Sequence, residues 1–561
     1  MIELGTLTGQ RGAAVNTAAA AWSTSFAKLL AHDASLWTGA DEAKWLGWLD
    51  IVARETRDLP SLQAFADHVR AQGTRFVVLI GMGGSSLGAE VLAQSFGHQP
   101  GWPELFAIDS TSPDQIAALE ARLDLAHTLF IVASKSGSTL EPNILKDYFH
   151  ARITATQGAG TAGRHFAAIT DPGSSMEKEA KDKDFAFIFY GEPSIGGRYS
   201  VLSRFGLVPA AAMGLDLPRF LKHAADMVAR CRQTTQQNPG LLLGLSLGLM
   251  TTEEKRDKIT ISASLALLSV GGWLEQLIAE STGKNGKGLI PVDLEPLAAP
   301  SAYGNDRTFL HVALAGETEP PQLAALEEAG HPVLRLTLSN AYELGELFYL
   351  SEIAVAVAGA VLNINPFNQP DVEASKIKSR ELTDAYETTG QLPLRTPFRK
   401  LEGITLYADA NNEKRLSTST TLTDILSAHF HQAKPGDYAA LLAFIEQSPA
   451  HWDILQNMRT RLRDQLHIAT CAEFGPRFLH STGQAYKGGP NSGIFLTISA
   501  EPKEPLAIPG HRIGFGVVQQ AQAMGDFEVL NERGRRALWL HLDNAEQGLA
   551  TIAKALQQAL A

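Results

Sequence analysis

The sequence predicts an α/β fold: two successive α/β/α sandwiches with parallel sheets, followed by a further α/β region. Three observations carry this. Short, wholly apolar runs alternate with helix-like segments, the pattern of parallel strands covered on both faces. The chain has 561 residues, enough for three or four structural units. Its 45% hydrophobic and 19% charged residues are those of a globular protein with a large core.

Residues 1–70 read as a helical segment, with apolar positions at Trp37, Trp45, Leu46, Trp48 and Leu49. The first sandwich is assigned to 71–214. Its strands are "RFVVLIG" (75–81), "ELFAID" (104–109), "TLFIVAS" (128–134), "HFAAIT" (165–170) and "FAFIFY" (185–190). The second covers 215–390, opens on the helical "LPRFLKHAADMVARCRQ", and has strands "KITISAS" (258–264), "TFLHVAL" (308–314) and "PVLRLTL" (332–338). Helices are expected over 265–280 and 343–362. After the connector "TGQLPLRTPFRK", residues 391–561 mix "YAALLAFI", "GIFLTISA" and "RALWLHL" with helices and form the third unit.

Composition excludes several functions. A net charge of −12 argues against nucleic-acid binding, which needs a basic field, but a local pocket can still take a small anion. The two cysteines, Cys231 and Cys471, are far apart and have no ligand-spaced partners, so neither a disulfide framework nor a metal centre is expected. The first residues lack a basic start followed by an apolar core, and runs such as "IAVAVAGAVL" read as too short for a membrane span. A cytoplasmic location is expected.

Two loops draw attention. "GMGGSSLGAEVLAQSF" follows the first strand, and Gly81, Gly83 and Gly84 allow a tight backbone at a helix start, where N–H groups favour an anion. A dinucleotide site is one reading, with Asp109 about 20 residues on. The sixth position of that motif, however, is Ser86 rather than glycine. "SKSGSTLE" follows the third strand. Ser134, Ser136, Ser138 and Thr139 each offer a hydroxyl just before a helix, a set suited to a phosphate dianion. Two such loops at carboxyl ends of strands in one sheet lie where open α/β sheets bind ligands.

Here the sequence resembles a known family. "SKSGSTLE" is similar to the phosphate loop of sugar isomerase (SIS) domains. "GMGGSSLG", together with Lys135, resembles phosphoglucose isomerases, where Gly84 and Ser85 would contact substrate. "PSIGGRYSVLSRFGLVPAAAMG" (193–214) resembles the family's G-G-R-[FY]-S signature, with Gly197 at the substrate and Arg198 facing the reacting carbons. "WLEQLIAESTGKNGKGL" (273–289) resembles its Q-x-x-x-E-S-x-G-K stretch, and puts Gln276 and Glu280 on one helix face. A carboxylate partly withdrawn from water is a stronger base, and the resemblance makes Glu280 the proton carrier between C2 and C1. "NPFNQPDVEASKIKSREL" (365–382) resembles the second signature, with Gln369 and Lys376 on its substrate positions. Asn368 and Pro370-Asp371 depart from it.

The family's ring-opening histidine is missing from its expected place, "PSAYGNDRTFLHVAL", where Asp306 or Arg307 stands and His311 falls inside a strand. In the third unit, "FGPRFLHSTGQAYKGGPNSG" offers His480 or Lys487 as a group that approaches the sugar site, within the chain or across a subunit boundary. That unit resembles the isomerase half of bifunctional transaldolase/phosphoglucose isomerases.

The resemblance implies reversible isomerisation of glucose 6-phosphate and fructose 6-phosphate, the step shared by glycolysis and gluconeogenesis. It implies no cofactor and no metal, a phosphosugar as partner, a homodimer, and a functional link to a separate transaldolase. Two other readings stand beside it. One is a non-catalytic phosphosugar-binding SIS regulator, which would need the phosphate loop but not Arg198, Glu280 and Lys376. The other is a nicotinamide-dependent oxidoreductase built on the glycine loop and Asp109.

Overall fold

The computed structural model describes residues 1–234 and 236–561. Three sheets organise them. In the first, Phe76–Gly81, Glu104–Ile108, Thr128–Ala133, Phe166–Thr170 and Phe187–Tyr190 are all parallel. The three central runs, Phe76–Gly81, Thr128–Ala133 and Phe166–Thr170, are buried on both faces because helices cover both sides, while the edge strands Glu104–Ile108 and Phe187–Tyr190 are half-buried. Phe76–Gly81 lies between Glu104–Ile108 and Thr128–Ala133. The strand order therefore reverses between Phe76–Gly81 and Thr128–Ala133, where Gly81 pairs with Ala133. The loops leaving these two strands flank that switch point, which opens a crevice at the carboxyl edge.

The second sheet holds Lys258–Ala263, Ile290–Asp293, Arg307–Leu314 and Val333–Leu338 in parallel, with Glu3–Gly5 antiparallel on its edge. The first residues are thus not wholly helical: three of them form a strand belonging to the second sheet. That strand is too short to show an apolar period. Ile290–Asp293 also escaped notice, because it is four residues long and follows a glycine- and lysine-rich turn. The third sheet has parallel strands Tyr438–Phe444, Ala469–Phe474, Gly493–Ala500 and Arg536–Leu542. An antiparallel pair, Arg399–Leu401 and Ile404–Ala408, extends its edge.

The third unit is fused to the other two through apolar clusters. Tyr438, Leu442 and Tyr486 share one with Ala279, Ile290 and Val292 of the second. Ile508, Phe515 and Val518 share another with Ile144, Tyr148 and Phe149 of the first. Between the second and third units, Arg307 and Glu295 form an ion pair at 3.0 Å with both side chains 0% exposed. Glu295 also accepts from the Thr470 hydroxyl at 2.6 Å.

One apolar run is longer than the sequence reading allowed. The segment Ala341–Val361 is long and apolar enough to span a membrane, but 89% of its most apolar window is buried inside the fold. It packs along the helix Pro239–Glu254, where Gly244 and Gly248 leave room for Val357 and Val361. It is a core helix.

Candidate active site

A cavity of about 430 Å³ opens at the switch point of the first sheet. Its walls come from both loops of that sheet, from the helix Val270–Thr282, from residues 367–376 and from His480 of the third unit. Of the residues singled out in the sequence, Gly84, Ser85, Ser134, Lys135, Ser136, Thr139, Gly197, Arg198, Gln276, Glu280, Gln369, Lys376 and His480 all line it.

The hydroxyl loop is shaped by Gly137. Its φ of +72° and the backbone N of Met176, 2.6 Å from where a Cβ would sit, exclude a side chain. The Gly137 carbonyl is held by Asn143 and Ser175, each at 2.9 Å. Ser134 Oγ is buried and has no protein partner, and the Thr139 side chain caps nothing although it starts the helix Leu140–Gln157. Both hydroxyls are left without a protein partner beside first-turn N–H groups, an arrangement able to take an acceptor-rich group. Ser138 lies apart from the main cavity. It bonds Ser136 at 3.0 Å and faces an adjoining cavity of about 490 Å³, whose wall also includes Lys376 and His480. Lys135 is committed to an ion pair with Asp171, so its charge reaches the cavity already balanced.

The glycine loop meets the Arg198 segment directly. A Cβ on Gly84 would lie 2.0 Å from the Gly197 carbonyl oxygen, so the two backbones touch only because Gly84 has no side chain. Asp109 does not reach the cavity. It is buried against Arg477 at 2.8 Å, and burial outweighs that partner in raising its pKa. A dinucleotide ribose therefore finds no free carboxylate there.

Arg198 is 2% exposed and fully engaged. Its Nε donates to Ser281 Oγ at 2.8 Å, one terminal nitrogen to Gln369 Oε1 at 3.1 Å, and the other to the carbonyls of Pro366 at 2.7 Å and Asn368 at 3.0 Å. The guanidinium lies 3.3 Å from Glu280 Oε1. Gln276 Nε2 donates to Glu280 Oε2 at 3.1 Å and to the His480 carbonyl at 2.8 Å. Glu280 thus sits at the end of its helix with one oxygen on a cation and the other on an amide. Lys284, from the same stretch, donates to the carbonyls of Asn365, at 2.6 Å, and Asn368, fixing the turn that presents Gln369. Burial, and then the neighbouring Arg198, push the Lys284 amine well below its usual pKa.

Comparison with known proteins fits this geometry. The phosphoglucose isomerase family model matches residues 59–308. The glucose-6-phosphate isomerase of Citrifermentans bemidjiense is 30% identical, over 67% of this chain and 79% of that protein. The chain belongs to the phosphoglucose isomerase family. Another family member, from Symbiobacterium thermophilum, is also 30% identical, over 60% of this chain and 86% of its own length. The crystal structure of a glucose-6-phosphate isomerase from Chlamydia trachomatis shares the fold, with a TM-score of 0.57 and 19% identity over 70% of this chain and 89% of that one.

Within a phosphoglucose isomerase, the histidine question becomes concrete. Arg307 is locked to Glu295 in the unit interface, and Asp306 lies 3.4 Å from Lys258. His311 Nδ1 bonds Ser262 at 2.8 Å within the second sheet, and burial lowers its pKa. None of the three lines the cavity. His480 does, with Nε2 at 3.1 Å from Glu141 Oε1. Burial raises the pKa of Glu141, but His480 and a nearby Lys376 overcome this and hold it below the ordinary carboxylate range. An ionised carboxylate only accepts, so Nε2 carries the hydrogen and Nδ1 is left for other contacts. Lys487, paired with His480 as a candidate in the sequence, is elsewhere: it is buried on Asp526 at 2.6 Å and lines no part of the cavity.

Sequence reasoning assigned no role to Glu141 or Lys284. Glu141 is the last residue of the hydroxyl-loop motif and Lys284 the last of the Q-x-x-x-E-S-x-G-K stretch, so the motifs themselves contained the signal. Phe367, which also walls the cavity, opens the second signature in the same way, whereas Trp45 had no such marker.

Proposed function

We propose that this chain catalyses the reversible isomerisation of glucose 6-phosphate and fructose 6-phosphate by proton transfer through an enediolate. The observation that carries the reading is the joining of Arg198, Glu280 and Gln276 with the hydroxyl loop in one cavity. A phosphosugar-binding regulator would need the loop alone. A nicotinamide oxidoreductase would need Asp109, which Arg477 occupies.

The phosphate rests on Ser134, Ser136 and Thr139 at the helix start, with Ser85, Gly84 and Gly197 along the sugar. Glu280 removes the proton from C2 of the open-chain aldose and returns it to C1, while the hydroxyl proton moves from O2 to O1 and the carbonyl passes from C1 to C2. Arg198, held by Ser281 and two carbonyls, stabilises the negative charge that develops on the substrate oxygens. Its rigidity matters, because a preset cation needs no reorganisation during the reaction. His480, oriented by Glu141, and Lys376 open the ring: a proton passes to the ring oxygen O5 as the C1–O5 bond breaks, and the same pair takes up the proton that leaves the C1 hydroxyl as C1=O forms. Lys376 lines the cavity, which sets its side chain beside the substrate oxygens.

The resemblance further implies a homodimer and a link to a separate transaldolase, and composition adds a cytoplasmic setting. Isomerase activity of wild type and Glu280→Gln is the test. Loss of ~10²–10⁴-fold in the variant is expected of a missing general base. A wild type without turnover would sink the enzyme reading, and a loss of only a few-fold would sink the assignment of Glu280.

A further inference from the structure

Resting on the role of Arg198 just proposed, we infer that Glu352 is a positioning residue for the reaction: it ends, as acceptor, a buried donor chain that begins at the Arg198 guanidinium. Glu352 lies in the middle of the helix Leu344–Val361 and is 0% exposed. Neither of its carboxyl oxygens has a hydrogen-bond partner among the described residues. A carboxyl held so deep is costly, and an apolar side chain would fill the same place without that cost.

The helix aims Glu352 at the back of the site. Tyr349 and Ala356, three before and four after it, share its face. The Tyr349 ring lies 6.0 Å from that of Trp48, and the Trp37 indole donates to the Ala356 carbonyl at 2.8 Å. Trp48 stacks on Tyr199 at 5.1 Å, while Trp37 and Tyr199 both lie against Phe367, at 5.1 and 5.2 Å. Glu352 therefore points between the two tryptophans toward Tyr199. Burial raises the Tyr199 pKa most, and Glu352 is close enough to add to it.

The hydrogens give the chain its direction. Arginine only donates, so Arg198 Nε gives its hydrogen to Ser281 Oγ at 2.8 Å. Ser281 Oγ lies 3.3 Å from the Tyr199 hydroxyl and passes its own hydrogen there. The Tyr199 hydrogen then needs an acceptor. So does that of Trp48 Nε1, which is buried and has no partner among the described residues. Tyr349 does not compete, because its hydroxyl reaches the Leu49 carbonyl at 3.4 Å. Two unpaired donors thus face the two unpaired oxygens of Glu352. Burial pushes the Glu352 pKa well above the ordinary carboxylate range, so the group accepts while neutral and brings no charge into the core. With Ser281 and Tyr199 held in this way, the Nε edge of Arg198 is fixed while one terminal nitrogen faces Gln369 and Glu280.

The test compares variants of Glu352 and Tyr199 for turnover and stability. Glu352→Leu should lower kcat by about 2–10-fold, the worth of one neutral hydrogen bond, with KM for fructose 6-phosphate unchanged. Its unfolding midpoint should equal or exceed that of wild type, because a buried polar group has been removed. A loss of turnover without a loss of stability separates positioning from packing. Glu352→Gln keeps a carbonyl acceptor and should hold kcat within about two-fold of wild type. Tyr199→Phe should reproduce the loss seen in Glu352→Leu, and the double variant should lose no more than either alone, because both cut one chain. Wild-type kcat in Glu352→Leu overturns the inference. So does a Glu352→Gln loss as deep as that of Glu352→Leu, or a double variant whose losses multiply. Glu352→Met replaces Glu352→Leu where the latter does not fold. Arg198→Lys keeps the two readings apart, since lysine lacks the guanidinium fork. If it leaves kcat intact, the role of Arg198 falls; if it lowers kcat while Glu352→Leu does not, only the inference about Glu352 falls.

Discussion

Arg198→Ala tests the electrostatic design of the site. The side chain makes four hydrogen bonds and one ion pair, all inside a region where it is 2% exposed. Four charge-assisted bonds at about 1.5–3 kcal/mol each would sum to roughly 6–12 kcal/mol, but these bonds share one rigid fork and are not additive. The better guide is the cost of leaving a buried ion unpaired, about 3–5 kcal/mol. Here that ion is Glu280, 8% exposed, whose remaining donor is the Gln276 amide. Arg198→Ala should therefore lower stability by about 3–5 kcal/mol. Adding Glu280→Gln removes the stranded charge and should restore about 1–3 kcal/mol of it, a coupling expected of residues in direct contact. Urea unfolding followed by the fluorescence of the core residues Trp48 and Trp273 reads both numbers. If Arg198→Ala costs under about 1 kcal/mol, or if the double variant loses the plain sum of the two, the buried pair is not what holds this corner together.

Other perturbations separate binding from folding. Thr139→Val should lower kcat/KM by about 10–150-fold, the worth of one hydrogen bond to a charged group, and leave the unfolding midpoint in place because that side chain bonds nothing in the protein. Gly84→Ala puts a methyl group 2.0 Å from the Gly197 carbonyl oxygen, so it should abolish turnover or folded yield, measured by activity and soluble expression. Asp293 sits at the boundary with the third unit, and burial raises its pKa from 3.8 to about 7. The folded chain keeps a proton that the unfolded chain loses, so stability from this group is full below about pH 4 and declines as pH rises through about 7. Asp293→Asn should flatten that part of a stability–pH curve measured by thermal unfolding.

Most of the fold was legible because buried parallel strands are written as unbroken apolar runs. Eight such runs in the first two sheets became strands within a residue or two of their expected ends. The strands that escaped in these two sheets are Glu3–Gly5 and Ile290–Asp293, too short to show a pattern, and the first gains its meaning only from a partner far along the chain; in the third sheet Arg399–Leu401, Ile404–Ala408 and Ala469–Phe474 escaped as well. In the site, local motifs revealed the residues that lie close in sequence to a strand end. Long-range placement was not legible. Nothing in "FGPRFLHSTGQAYKGG" tells His480, which points to the cavity, from Lys487, which turns inward to Asp526, because the difference lies in which neighbour each meets across the unit boundary.

The edge strand Glu3–Gly5 has a consequence for how the molecule is made. Leu4 pairs with Leu336, so nascent residues must wait for their partner while the whole first sheet, and most of the second, emerges between them. At about 5–20 residues per second that wait is roughly 20–70 s. During it the first sheet, whose strands all lie within Phe76–Tyr190, has its own partners and can form. The second sheet can close its edge only late. The order of synthesis thus places the phosphate cradle before the base, and the histidine last of all.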